Sequence, residues 1–302
     1  MSAESPGPTG PWDVLVIGEA LIDIVDDGTG ATEHVGGSPA NVALGLGRRG
    51  VSVALLTQIA DDARGGAIIE HLDASGVDVL PESLAAASTS FAAAQIGADG
   101  QAEYTFEVQW NRFEPPAASA RIVHTGSIAA FMEPGATSVR QALEQSGATE
   151  ITFDPNIRPD LVGDHEATVA SFERIAGLAS VVKLSDQDAA WLYPRRTAAA
   201  VIESVLRLGP RLVVMTLGAA GAILATRSES VRIPAVDVHA VDTIGAGDTF
   251  MASLIHSLLE RGSADLGARD LETIGRAAAR AASVTVSRAG ANLPWKSELG
   301  VG

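Results

Sequence analysis

The run Asp242-Thr243-Ile244-Gly245-Ala246-Gly247-Asp248-Thr249-Phe250 has residue types and a spacing that could transfer a phosphoryl group. It follows a β-branched run, Val236 to Val241, that reads as extended. It leads into an apolar, helix-like run from Phe250 to Leu259. Gly245, Ala246 and Gly247 therefore stand where an extended segment becomes a helix. Small residues there let a ligand approach the backbone, and the free amides and dipole of a helix start favour an anion. Asp248 would repel that anion unless it has a task. The economical task is general base, removing the proton of a hydroxyl that attacks a phosphoryl group held by the amides. The same residues also read, without chemistry, as a Gly-rich turn in which Asp248 caps a helix.

The rest of the chain supplies strands and helices to position such a site. Asp13 to Gly18 is an unbroken apolar run that reads as a buried parallel strand, with Glu19, Asp23 and Asp26 just past it or along its edge. In Gly36-Gly37-Ser38-Pro39-Ala40-Asn41, Ser38 reads as a helix N-cap and Pro39 as the first helical residue, which puts Asn41 in the first turn. Residues 89–97 and 102–108 read as a hairpin joined through Asp99-Gly100. From 121 onward, strand and helix alternate. Asp154, Asn156, Arg158, Ser185, Asp188, Thr216 and Gly218 gather at the carboxyl ends of strands, where open α/β sheets bind ligands. The expectation is one α/β domain over 1–302: a mainly parallel sheet with helices on both faces, a small β-flap lid from about 31–37 and 88–112, and a disordered tail at 1–11.

The chain has 302 residues, 46% of them hydrophobic, and a formal net charge of −16, which argues against a nucleic-acid surface. It has no cysteine, so disulfides and thiol chemistry are excluded. No apolar run approaches the ~20 residues of a membrane span. Met1 to Pro8 lacks the basic and apolar regions of a secretion signal, so a cytoplasmic location is expected.

Four segments, in order, resemble the PfkB, or ribokinase-like, sugar-kinase family. They are Gly18-Glu19-Ala20-Leu21-Ile22-Asp23, Gly36-Gly37-Ser38-Pro39-Ala40-Asn41-Val42-Ala43, Thr216-Leu217-Gly218-Ala219-Ala220-Gly221 and Asp242 to Phe250. The resemblance implies a ribokinase-like fold and an ATP- and Mg²⁺-dependent kinase. It implies Asp248 as base, with Gly245, Ala246 and Gly247 as the anion hole. Asp23, Gly36, Gly37, Asn41 and Arg158 are implied as substrate contacts. Lys183, Ser185, Thr216, Gly218 and Gly221 are implied on the nucleotide side. Where many members carry NxxE for a water-bound Mg²⁺, this chain has Ser185-Asp186-Gln187-Asp188. Asp188 would take that role, and Ser185 also reads as a plain N-cap. Asp242 and the carbonyl of Ile244 fit half of a K⁺ site.

Asp154-Pro155-Asn156-Ile157-Arg158 resembles the DxNxR segment of fructokinases and 2-keto-3-deoxygluconate kinases in this family. The reading is transfer of the ATP γ-phosphate to a small sugar, fructose first. A 2-keto-3-deoxygluconate kinase or ribokinase is the alternative within the class. A silent sugar or nucleotide sensor is the alternative outside it. The partners expected are the sugar, ATP and a second copy of the chain in a homodimer, with no nucleic acid and no membrane.

Overall fold

In β1 (Trp12–Ile17), Val14 and Val16 pack into one apolar core while Leu15 and Ile17 pack into another. Alternate residues of a strand face opposite sides, so a sheet covered on both faces needs apolar residues at every position. The same split recurs in β4 (Val53–Leu56), β10 (Val181–Ser185) and β11 (Leu212–Thr216). The computed structural model describes residues 12–26, 30–96, 102–117 and 119–300. The predicted tail at 1–11 and the predicted Asp99-Gly100 turn lie outside them.

The other strands are β2 (Leu21–Asp26), β3 (Ala31–Gly36), β5 (Val77–Val79), β6 (Phe91–Ile96), β7 (Ala102–Glu107), β8 (Ala120–Gly126), β9 (Glu150–Asp154), β12 (Ala222–Ala225) and β13 (Ser230–Ile233). A nine-stranded sheet runs β13-β12-β11-β10-β9-β8-β1-β4-β5. It is parallel from β11 to β5, and β12 and β13 add an antiparallel edge. The helices are α1 (Ser38–Gly47), α2 (Ala63–Asp73), α3 (Gly135–Gln145), α4 (His165–Leu178), α5 (Asp186–Leu192), α6 (Ala198–Leu208), α7 (Ala246–Arg261) and α8 (Ala268–Val286). Residues of α1, α2, α7 and α8 share one core, and those of α3 to α6 share the other. No helix among the described residues is long and apolar enough to cross a membrane.

A second sheet, in the order β3-β2-β6-β7, stands beside the first. β6 and β7 pair antiparallel in register from Phe91↔Glu107 to Ile96↔Ala102, at the place expected for the hairpin. β2 was not anticipated. Asp23 and Asp26 lie on this separate strand rather than along the edge of β1. The sequence Leu-Ile-Asp-Ile-Val-Asp is too short, and too broken by carboxylates, to show a strand by its pattern. Its pairing with both β3 and β6 makes it one. The run 236–241 forms no strand and pairs with no strand among the described residues. The chain there is irregular and exposed, and it is tied back by the Val241 amide to the Val286 carbonyl.

Candidate active site

Asp248 sits in the first turn of α7 and is 7% exposed. The helix starts at Gly245, whose φ of 75° is left-handed; a Cβ there would also stand 2.9 Å from that of Ala291. Only glycine meets both conditions cheaply. The Ala246 amide is turned to the Thr243 carbonyl at 3.2 Å. The first-turn amides that follow have no acceptor within the helix and face the start of α7.

Two residues of α1 fix the Asp248 carboxylate. Ser38 Oγ donates to Oδ1 at 2.7 Å, and Asn41 Nδ2 donates to Oδ2 at 2.8 Å. Ser38 is therefore not the helix N-cap that its sequence setting predicts. Gly37 holds that position, and Ser38 is the first helical residue. Locally the two arrangements read alike, and only the approach of α7 gives the hydroxyl its partner, 210 positions away.

Gly36 and Gly37 form a close-packed floor. A Cβ on Gly36 would stand 2.0 Å from Asp23 Oδ2, and one on Gly37 would stand 2.5 Å from the Glu19 carbonyl. Gly37 also has φ of 100°. The Asp23 carboxylate lies over Gly36 with no hydrogen-bond donor on it among the described residues. Burial raises its pKa, and the charges of Arg158 and His34 oppose that rise. Arg158, otherwise bonded to Asn156 and the Ile157 carbonyl, thus acts across the opening from Asp23. It makes no ion pair with Asp154 or Asp160 among the described residues. A free acceptor facing a cation suits a polyhydroxylated ligand.

Beneath this floor lies Glu19, 3% exposed, whose Oε2 accepts the Ala129 amide at 3.0 Å. Burial pushes its pKa up to about 7, while bonds from Ser127 and Ala129 pull the other way. A carboxyl raised in the folded state contributes stability that is complete below its ordinary 4.5 and is lost as pH rises through about 7. Between pH 5 and 8 this group should cost the fold on the order of 3 kcal/mol. Urea unfolding across that range should therefore show a flatter pH dependence in Glu19→Gln than in wild type. Parallel curves would mean that the carboxyl does not titrate there.

Residues 13–298 match the model of the pfkB family carbohydrate kinases. The chain belongs to that family. A fructokinase from Rhizobium leguminosarum bv. trifolii is 35% identical over 259 residues, which cover 81% of this chain and 79% of that one. A fructokinase from Klebsiella pneumoniae is 32% identical over 302 residues, covering 95% and 97% respectively. The crystal structure of aminoimidazole riboside kinase from Salmonella enterica, complexed with aminoimidazole riboside and an ATP analog, superposes with a TM-score of 0.81 at 25% identity. It covers 95% of this chain and 98% of its own.

Behind the first turn of α7 in this pfkB kinase is a buried ion pair. Lys183 Nζ lies 2.6 Å from Asp154 Oδ2, with the side chains 4% and 1% exposed. Nζ also stands 3.1 Å from where a Cβ on Gly247 would be, which places the cation against the first turn of α7. Burial alone would lower the Lys183 pKa, but Asp154, Asp188 and Asp248 together raise it. Burial pushes Asp154 up to about 6 against the pull of Lys183, so both partners are charged at neutral pH. A lysine in the otherwise apolar Val181-Val182-Lys183-Leu184 was the sequence signal for a buried partner. Which partner it is depends on β9 lying beside β10.

Ser185 N-caps α5 and forms a capping box with Asp188. Asp188 Oδ2 accepts both the Ser185 hydroxyl and its amide, and Oδ1 accepts the Ile157 amide at 2.7 Å. The neighbouring Asp154 Oδ1 is buried with no hydrogen-bond partner among the described residues. Carboxylate oxygens with spare lone pairs fit the Mg²⁺ that the family resemblance implies, because this hard cation keeps several of its waters. Thr216 ends β11 directly beside Ser185. Gly218 is open to solvent, with nothing within 4 Å of a Cβ there, whereas a Cβ on Gly221 would meet the Ile233 carbonyl at 2.0 Å. Gly221 therefore shapes the turn into β12 rather than presenting a surface. Asp242 accepts the amides of Ile244 at 3.0 Å and Gly290 at 2.9 Å, which hold its carboxyl below the usual range. The Ile244 side chain is 58% exposed.

Proposed function

We propose that this carbohydrate kinase transfers the γ-phosphate of ATP to fructose. One observation carries the mechanism. A buried aspartate at the start of α7 has both oxygens oriented by Ser38 and Asn41, and a lysine stands behind the same helical turn. The acceptor hydroxyl, held by Asp23, Asn41, Arg158 and the backbone of Gly36 and Gly37, loses its proton to Asp248 as it attacks. The open amides of Gly247 and Asp248 and the charge of Lys183 stabilise the negative charge that develops on the transferred group. When bound, Mg²⁺ would neutralise nucleotide phosphates from waters held by Asp188 and Asp154. The nucleotide lies along the ends of β10 and β11, against Ser185, Thr216 and Gly218.

The sheet β3-β2-β6-β7 acts as a lid on the sugar. It already contributes Asp23 and Gly36, so closing it both binds the substrate and excludes water. Asp242 and the Ile244 carbonyl form part of a K⁺ site that steadies the loop before α7. We place the working enzyme in the cytoplasm, as one catalytic domain per chain and as a homodimer.

Fructose is favoured by the two fructokinase relatives, which match most of this chain. ADP release with Mg-ATP and K⁺ should be strong for fructose. It should be weak for 2-keto-3-deoxygluconate, ribose and an aminoimidazole riboside. A stronger response to any of these would reassign the acceptor. Saturable sugar binding without ADP release would identify a sensor.

A further inference from the structure

A cavity of about 480 Å³ opens between the 131–133 segment, the 161–163 segment and α4. Its ionic lining is Arg140, Arg174 and Glu133, and its apolar wall includes Phe131 and Leu161. Arg140 Nη2 is 2.9 Å from Glu133 Oε1, so those two charges balance. Arg174 is exposed, and no carboxylate lies within ion-pair distance of it among the described residues. The cavity is thus cationic on a chain whose net charge is −16.

Two hydrogen-bonded struts run from the cavity walls to the proposed sugar site. Ser171 Oγ, in the wall from α4, donates to the Ala130 carbonyl at 3.2 Å. The adjacent Ala129 amide is bound to Glu19, beneath the Gly37 floor. On the other side, the Leu161 amide donates to the Arg158 carbonyl at 2.9 Å. The walls are thus bonded to Arg158 and, through Ala129 and Ala130, to the Glu19 layer under Gly37.

The geometry points to this cavity as a binding site for a small phosphate monoester that shifts sugar affinity. Arg174 and Arg140 take the phosphate, in competition with Glu133, and Phe131 and Leu161 lie against the carbon skeleton. Guanidinium groups suit this role because their planar donors match phosphate oxygens in pairs. The link to sugar affinity rests on the placement of Arg158 at the substrate. Binding in the cavity does not, so the two parts fail separately.

The test is calorimetric titration of the full chain with fructose 6-phosphate and with inorganic phosphate. An ATP analogue and fructose are kept saturating so that the catalytic cleft is occupied. One saturable site for the ester is expected, weakened at least tenfold in Arg174→Gln and partly restored in Arg174→Lys. Turnover without ester should be unchanged in both variants. No saturable binding, or equal binding by Arg174→Gln, overturns the site. Inorganic phosphate binding as tightly as the ester overturns the role of the apolar wall. A fructose KM that does not move with the ester, or that moves equally in wild type and Arg174→Gln (as product competition in the catalytic cleft would give), overturns the coupling.

Discussion

Asp248→Asn should lower kcat by on the order of 10²–10⁴ while leaving ATP affinity nearly intact. The substitution is close to neutral for the fold. An asparagine can aim its oxygen at Asn41 Nδ2 and its amide at Ser38, whose hydroxyl accepts as readily as it donates. Only the ability to take a proton is lost. Steady-state kinetics with fructose, together with titration of an ATP analogue, separates the two effects. Turnover near that of wild type would leave Asp248 as a helix-start residue without catalytic work, the plain reading of the Gly-rich turn.

The second large effect concerns Lys183. Lys183→Met would leave Asp154, 1% exposed, either charged without a counter-charge or forced to take up a proton, and breaking a buried pair on one side costs about 3–5 kcal/mol. A clear fall in the urea midpoint is expected. Removing both charges in Lys183→Met/Asp154→Leu should recover much of that stability, because two apolar side chains replace two desolvated ions. Turnover should not recover, since the cation beside Gly247 and the Asp154 carboxylate proposed for the Mg²⁺ waters are both missing. A double variant that regains both stability and activity would make the pair purely structural. An unchanged midpoint in the single variant would mean that the charge of Asp154 is met from elsewhere.

Much of this site was legible before any coordinates, for a specific reason. Gly36-Gly37 and Gly245-Ala246-Gly247 mark places where the backbone must turn left-handed or touch another chain segment. That requirement is local enough to be written in residue type. The unbroken apolar strands likewise report burial on both faces, which almost enforces a parallel sheet between helix layers. Where the reading failed, the signal was not local. β2 looked like the tail of β1 because strand pairing, not its own pattern, makes it a strand. The run 236–241 looked like a strand because its β-branched residues favour one, yet it joins neither sheet.

The sequence by itself determined the α/β class, the family and the position of the glycine-rich turn before α7, because each depends on short segments whose spacing survives without partners. Tertiary structure decided which side chains meet. It turned Ser38 from a cap into a hydrogen-bond donor to Asp248 and joined Lys183 to Asp154. Those contacts join residues 29 to 210 positions apart. Their geometry is fixed by how β9 lies against β10 and α1 against α7, which no single segment specifies.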